Sequence, residues 1–216
     1  MPAANAIERP TEALTVAKRY LRRERFLNAL VVALVVSLYV GTFLLTSLLP
    51  AIVVGAVSLV IARAPILRSR GTVRLRTDDG PETVLEKFSG PTPPVLAFQW
   101  GVADEVITRE RTAVYRTSYL FGLRSADVTV RTETETAPDG TYRVESELVV
   151  NDQPWATYTS TISDETDHTI VDVEYTSNRR FGLRRVPQQF LAERYREDAL
   201  AVQGYTVVDR DAYFGL

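Results

Sequence analysis

The chain has 216 residues, no cysteine, one histidine and a formal net charge of −2. This length suggests one domain with an appendage or two small domains, and the lack of cysteine excludes disulfides, thiol nucleophiles and cysteine-based metal sites. The charge is unevenly divided: residues 1–76 carry eleven basic and three acidic side chains, and residues 77–216 carry fourteen basic and twenty-four acidic ones. The acidic second part argues against nucleic-acid binding, which needs a basic surface. Acidic excess with only two lysines also resembles the proteins of salt-loving prokaryotes.

Residues 1–26 are predicted to form a basic amphipathic arm. Thr11 is placed to cap a helix that runs to Phe26, and the segment AKRYLRRERF is basic with aromatic interruptions. Two interpretations of this helix stay open. It lies on the cytoplasmic lipid surface, where basic side chains meet anionic headgroups, or it extends the first membrane span with its charges in water.

The 37 residues from Phe26 to Ala62 contain no charged side chain. One continuous helix of that length would measure about 55 Å, whereas the hydrocarbon core of a bilayer is about 30 Å thick. Thr46, Ser47 and Pro50 mark a reversal in the middle, because proline disfavours helix in the residue before it. The sequence therefore predicts two transmembrane helices within residues 27–67, at about 27–45 and 49–67.

Three other interpretations of this run are less favoured, and the first is a single span followed by a re-entrant piece. A cleaved signal peptide would have a shorter apolar region followed by a polar chain, and a buried soluble hairpin would need polar stripes. Basic residues precede the first span and follow the second, so the positive-inside rule predicts a multi-pass protein of the inner (cytoplasmic) membrane with both termini in the cytoplasm. Gly41 and Gly55 allow close helix packing, within the hairpin or between copies in a homo-oligomer.

Residues 72–216 are predicted to form one cytoplasmic α+β domain. The segment Thr72–Thr77 alternates like a strand, and DDGPETVLEKF after it has the start signals of a short helix. The proline-rich segment Ser89–Gly101 is expected to be extended or turn-like. Six more strands are predicted near Asp104–Arg109, Thr112–Leu120, Ser125–Glu135, Thr141–Val150, Trp155–Ile162 and His168–Tyr175.

The short connections between these strands favour an antiparallel meander. A long C-terminal helix is predicted at Val186–Gly204, between Pro187 and the closing glycine. The tail YTVVDRDAYFGL is a candidate for a last strand.

This order of elements resembles the START-like, or helix-grip (SRPBCC), superfamily across about Thr72–Gly204. The resemblance depends on element order, because no specific motif carries it. It implies a curved antiparallel sheet that wraps the last helix around an apolar cavity. The family's usual second short helix is missing from the predicted elements, where this chain has GPTPPVLAFQW. An unrelated antiparallel α+β sandwich stays open.

The sequence predicts no catalytic residue, metal ligand or cofactor. His168 follows an acidic turn and is interpreted as an exposed loop residue, and no HExxH, Walker, GxGxxG or EF-hand spacing occurs. Each FGL segment is interpreted as the end of a strand or the start of a new element. If a pocket exists, Arg116 is a candidate anchor for an anionic ligand, and the other candidate ligand-binding residues are the aromatic side chains Phe98, Trp100, Tyr115, Tyr119, Trp155 and Tyr158.

The preferred hypothesis is a membrane-anchored, non-catalytic protein whose START-like domain binds an apolar or amphipathic, lipid-like small molecule. Its expected partners are the lipid bilayer and that ligand, without nucleic acid. The second hypothesis is a membrane-tethered module that binds a protein partner. The third is an enzyme of the helix-grip group, such as a cyclase or hydratase, which the absence of a convincing acid/base pair disfavours.

Overall fold

The structure is a computed structural model that describes residues 9–109, 112–119, 124–182 and 186–215. The described residues form an α+β fold in which one antiparallel sheet holds a long C-terminal helix on its inner face, a helix-grip-like arrangement. An N-terminal helix precedes this domain and packs against it.

Helix α1 runs without a break from Thr11 to Leu45. The predicted arm and the first predicted span are therefore parts of one helix, and both interpretations of the arm relative to lipid stay predictions. Its N-terminal half packs on the domain, where Ala13 and Ala17 are completely buried. The predicted cap is wrong, because Pro10 occupies the N-cap position and Thr11 is already helical.

Helix α2 runs from Leu48 to Arg63 and packs against α1. Tyr39 of α1 lies against Gly55, where an added Cβ would meet the tyrosine ring at 3.2 Å. At 16 residues α2 is about 24 Å long. It ends at Arg63 instead of continuing to Leu67, because Ala64 precedes a proline and has an extended ψ of 119°.

Among the described residues, α1 is the one helix that is both long and apolar enough to cross a membrane. Its apolar window is exposed throughout, and α2 is shorter. The structure thus has one candidate span near the N-terminus where the sequence predicted two.

The described strands form an eight-stranded antiparallel sheet in the order β2-β3-β4-β5-β6-β7-β1-β8. The meander predicted for β2 to β7 is confirmed, and the C-terminal tail does add a strand, which pairs with β1. The strands are β1 Arg68–Thr77, β2 Glu105–Arg109, β3 Thr112–Tyr119, β4 Arg124–Thr136, β5 Tyr142–Val150, β6 Gln153–Glu165, β7 His168–Ser177 and β8 Thr206–Gly215.

Three helices belong to the domain: α3 (Pro81–Ser89), α4 (Ala97–Val102) and α5 (Val186–Ala201). The extended path predicted for Ser89–Gly101 is wrong in its second half, where a short 3-10 helix at Pro94–Leu96 leads into α4. The last proline of the run stands in the first turn of that 3-10 helix, a position that needs no backbone N–H. A second short helix, α4, therefore lies in the segment where the sequence predicted none.

The core is divided into two apolar clusters under the inner face of the sheet. One cluster joins α1, α4 and α5 to strands β2–β5, and the other joins α3 and the end of α5 to β1 and β5–β7. Between the two clusters, α5 and the segment that enters α4 leave a gap above β1, β6 and β7. That gap is the candidate site.

Candidate ligand cleft

A cleft lies between the inner face of the sheet and helix α5. About 40 Å³ of it is free space that water-sized molecules can occupy, and the surrounding concavity is open to solvent. Strands β1, β6 and β7 form its floor, and α5 and the segment that enters α4 form its sides. Its apolar lining consists of Val73, Pro94, Val95, Ala97, Phe98, Val173, Ala199 and Leu200.

Two tyrosines give the floor of the cleft an aromatic surface. The rings of Tyr158 and Tyr175, on neighbouring strands, are stacked with their centroids 6.0 Å apart. Gly71 of β1 makes room for Tyr175, because an added Cβ would lie 2.9 Å from the phenol oxygen. A larger residue at this position would also clash with the Asp211 backbone carbonyl of β8, so it would strain the pairing of β1 with β8 as well as displace Tyr175.

Charged side chains complete the lining on the side of α5 and β8. Arg210 donates hydrogen bonds to the Glu193 carbonyl at 3.3 Å and to a Glu197 carboxylate oxygen at 2.9 Å. The guanidinium of Arg196 lies 6.0 Å from the centroid of the Tyr175 ring, a cation–π contact. The cleft therefore has an apolar interior and a polar edge, which suits an amphipathic molecule better than a purely polar one.

Helix α1 supports the wall of the cleft from behind. The ring of Tyr20 packs on Phe98 with centroids 4.7 Å apart and on Tyr195 at 5.9 Å. The guanidinium of Arg23 lies 5.6 Å from the centroid of the Tyr195 ring. Phe98 is thus held between the cleft and the same helix that carries the exposed apolar segment.

Of the seven residues predicted from the sequence to bind a ligand, Phe98 and Tyr158 line the cleft. Trp100 and Tyr115 are completely buried in the core. Trp100 donates its indole N–H to the Pro93 carbonyl at 2.9 Å, and Tyr115 donates its hydroxyl to Pro91 at 2.9 Å. Burial raises the pKa of the Tyr115 phenol. These two side chains brace the chain that enters α4 instead of facing the cleft.

The structure does not bring Arg116 to the cleft. Its guanidinium pairs with Asp127 at 3.1 Å and with Glu105 at 3.6 Å on the other face of the sheet. The hydrogen bond to Asp127 raises the pKa of Arg116. Trp155 packs beside the first core cluster and is not part of the lining, and the side chain of Tyr119 lies outside the described part of the chain.

Several lining residues were missed by the sequence analysis. Val73 and Val173 carry the signal of an alternating strand, which indicates a buried face without distinguishing cleft from core. Tyr175 lies two residues after Val173 and therefore faces the same side of β7. It could have been predicted as a lining residue from the sequence. Arg196 and Arg210 gave no usable signal, because only the packing of α5 beside β8 brings them to one edge of the cleft.

The described residues hold no group of three or more acidic or histidine side chains arranged to bind a metal ion. His168 begins β7, and its Nε2 lies 3.2 Å from a carboxylate oxygen of Glu165, the last residue of β6. It is partly exposed and is not among the residues that line the cleft. Its interpretation as a residue without a role in the site stays a prediction.

The domain has structural neighbours of the START-like and helix-grip type. It is similar to a protein from Rhizobium loti, with 17% identity, 63% of this chain and 98% of the other covered, and a TM-score of 0.40. It is also similar to a STAR-related lipid transfer protein from Xanthomonas axonopodis, with 16% identity, 65% and 85% covered, and a TM-score of 0.44. No protein-family model matches the chain, and neither does any curated protein. At these identities and TM-scores, none of the similarities by itself assigns a function to this chain.

Proposed function

We propose that this chain is a membrane-anchored, non-catalytic protein whose cytoplasmic domain binds an apolar or amphipathic, lipid-like small molecule in the cleft. The observation that supports it most directly is the composition of the lining, which consists of eight apolar residues, two tyrosines and three charged residues. Ligand sites of this kind are concave, mostly apolar and equipped with a few polar groups.

The anchor is supported by the hairpin of α1 and α2. The apolar part of α1, residues 26–45, is about 30 Å long, which matches the hydrocarbon core. Both helices expose large aliphatic side chains such as Leu34, Leu45 and Leu49. Exposing so much apolar surface to water is unfavourable in free energy, and contact with lipid removes that free-energy cost. Because α2 returns alongside α1, a hairpin that spans the bilayer would have both of its ends on one side, and the flanking basic residues favour the cytoplasmic side.

The enzyme hypothesis has less support from the site. Arg210 is largely buried in the lining of the cleft, but its guanidinium is already bound by Glu193 and Glu197. The protein-partner hypothesis needs a broad apolar patch on the domain. The domain's described exposed large apolar residues, Ile66, Val202, Val208 and Tyr213, are few compared with those of the hairpin.

Native mass spectrometry of the full chain, purified in detergent, tests the proposal. We expect a reproducible additional mass from a bound small molecule that organic extraction recovers as an apolar or amphipathic compound. The variant Val95→Trp places a large ring in the cleft and should lose most of that mass. The matched variant Val208→Trp, at an exposed position of β8 outside the cleft, should retain it. Repeated preparations without a bound molecule, or equal occupancy in both variants, would contradict ligand binding in the cleft.

A further inference from the structure

The strand that follows the hairpin begins at one end of the sheet. Strand β1 begins at Arg68, shortly after α2 ends at Arg63. The antiparallel register pairs Arg68 with Gly215 of β8, and Arg70 with Thr176 near the end of β7. We call this the hairpin end of the sheet; it also contains the start of β6 and the loop that follows β7. The opposite end, where β1 finishes and β6 turns into β7, is the distal end.

The hairpin end is basic. Arg68, Arg70, Arg179 and Arg180 are all exposed there. Within the described part of the chain none of the four forms an ion pair, although Arg179 donates a hydrogen bond to the Gln153 side chain. These four guanidinium groups are therefore not neutralised by described carboxylates.

The acidic residues at the hairpin end do not cancel this charge. Asp104 accepts a hydrogen bond from the Ser118 backbone N–H, and Glu105 pairs with Arg116. Asp152, in the turn between β5 and β6, is exposed. The end as a whole carries a positive excess among its described residues.

The distal end has the opposite character. Its turns and the end of β6 expose the carboxylates of Asp78, Asp139, Asp164 and Asp167. Arg76 and Arg143 are also exposed there, but they are outnumbered. The charge of the domain is thus polarised along the strands, with the positive side next to the hairpin.

Helix α1 adds a second basic surface at the level where the apolar segment starts. At 100° per residue, Lys18, Arg19, Arg22 and Arg25 lie on the side of the helix opposite to Ala13 and Ala17, which are buried against the domain. All four are exposed, and Phe26 follows them directly. Tyr20 packs on Phe98, so this basic surface is fixed relative to the domain.

We infer that the hairpin end of the sheet lies against the anionic headgroup layer of the bilayer, with Arg68, Arg70, Arg179 and Arg180 facing lipid phosphates. The inference rests on the proposed membrane anchorage and adds an orientation and a lipid preference to it. Charge complementarity supports it, because clusters of basic residues beside a membrane span are attracted to anionic lipids. Continuity supports it as well, since only residues 64–67 separate α2 from β1. The acidic distal end then points away from the negatively charged surface.

The absence of cysteine in the natural chain permits a clean test with single labels. Full-length Asn178→Cys, at the hairpin end, and Thr166→Cys, at the distal end, are each labelled with a fluorophore and reconstituted into vesicles. Both positions are exposed. The vesicles contain phosphatidylcholine alone or with phosphatidylglycerol, and a small fraction of lipid with a nitroxide on its headgroup as the quencher.

In anionic vesicles we expect the label at position 178 to be quenched several-fold more than the label at position 166. Each arginine near an anionic surface should strengthen the contact roughly fivefold. Arg179→Gln with Arg180→Gln should therefore lower the quenching at position 178, and so should high salt, which screens charge. Arg76→Gln with Arg143→Gln removes the same charge from the distal end and should have little effect.

The outcomes separate this inference from the proposed anchorage. If the protein washes off the vesicles in alkaline carbonate, the anchorage fails and the orientation fails with it. If the protein stays in the membrane but both labels are quenched equally, the orientation alone is wrong. If quenching at position 178 is the same in both kinds of vesicle, or is insensitive to Arg179→Gln with Arg180→Gln, the attraction to anionic headgroups is overturned.

Discussion

At the scale of single residues, two of the buried tyrosines of the core, Tyr115 and Tyr205, differ in one hydrogen bond. The Tyr115 hydroxyl donates to the Pro91 carbonyl, whereas the Tyr205 hydroxyl has no partner among the described residues. A buried hydrogen bond contributes about 1 kcal/mol, and an unpaired buried hydroxyl costs about 1–3 kcal/mol. We therefore expect Tyr115→Phe to lower the free energy of unfolding by about 1 kcal/mol and Tyr205→Phe to leave it unchanged or raise it.

Urea unfolding followed by tryptophan fluorescence measures this difference, because both tryptophans lie in the domain. The two variants remove the same atom from rings that are both almost completely buried, so each is the control for the other. Equal destabilisation by both would mean that Tyr205 has a hydrogen-bond partner, or that ring packing alone sets the effect.

Residue positions also show what strand alternation predicts and what it does not. Neighbouring residues of a strand face opposite sides of the sheet. Tyr115 and Arg116 therefore could not both face one pocket, and alternation alone was enough to separate them. Alternation cannot tell a core residue from a residue that lines a cleft, since both face inward. That distinction depends on where α4 and α5 leave space.

At the scale of elements, the packing of α1 on the domain could not be predicted from the sequence. Its contact face is centred on the small residues Ala13 and Ala17, beside Val16 and Tyr20, and small residues give only a weak helical pattern of hydrophobicity. Ala17 lies so close to Gly101 of α4 that an added Cβ on the glycine would be 2.8 Å from the alanine Cβ. Arg9 reinforces the contact by donating to the Trp100 carbonyl at 3.1 Å and the Ala103 carbonyl at 2.6 Å.

This close approach predicts the effect of one methyl group. Gly101→Ala should force α1 away from α4, at a cost of about 1–3 kcal/mol for overpacking. Hydrogen exchange of the α1 segment at residues 11–20 should then become roughly tenfold faster. Gly41→Ala is the matched control, because an added Cβ there meets nothing within 4 Å. Unchanged exchange in Gly101→Ala would show that the helix adjusts without undocking.

The order of elements was more predictable than their contacts. Alternation and turn residues located β2 to β7, and Pro187 with Gly204 bounded α5, because these signals are local. Helix α4 was missed because the prolines before it dominated the interpretation of the whole segment. The pairing of β8 with β1 joins distant parts of the chain, and the tail offered only a strand-like composition for it.

At the scale of the whole molecule, one helix connects the cleft to the exposed apolar segment. Tyr20 contacts the wall of the cleft, and Phe26 begins the apolar part six residues later, about 9 Å along the axis. The second connection, residues 64–67, is also short. A domain attached rigidly by α1 and closely by β1 is expected to keep one orientation to the membrane, unlike a domain on a flexible linker.

The proposed hairpin places the link between α1 and α2 on the side of the membrane opposite to the domain. Ser47 is exposed in that link, between Leu45 and Leu48. The accessibility of a cysteine at this position therefore shows how far the hairpin inserts into the bilayer. In intact cells, a membrane-impermeant maleimide should label Ser47→Cys but should label Thr166→Cys only after the membrane is permeabilised. A helix of 16 residues is shorter than the hydrocarbon core, so thinning of the bilayer or the uncharged residues that follow α2 must cover the difference.

Two outcomes would contradict this topology. Protection of Ser47→Cys both in intact cells and after permeabilisation would show that the hairpin enters the bilayer without crossing it. Labelling of both positions in intact cells would contradict the cytoplasmic placement of the domain.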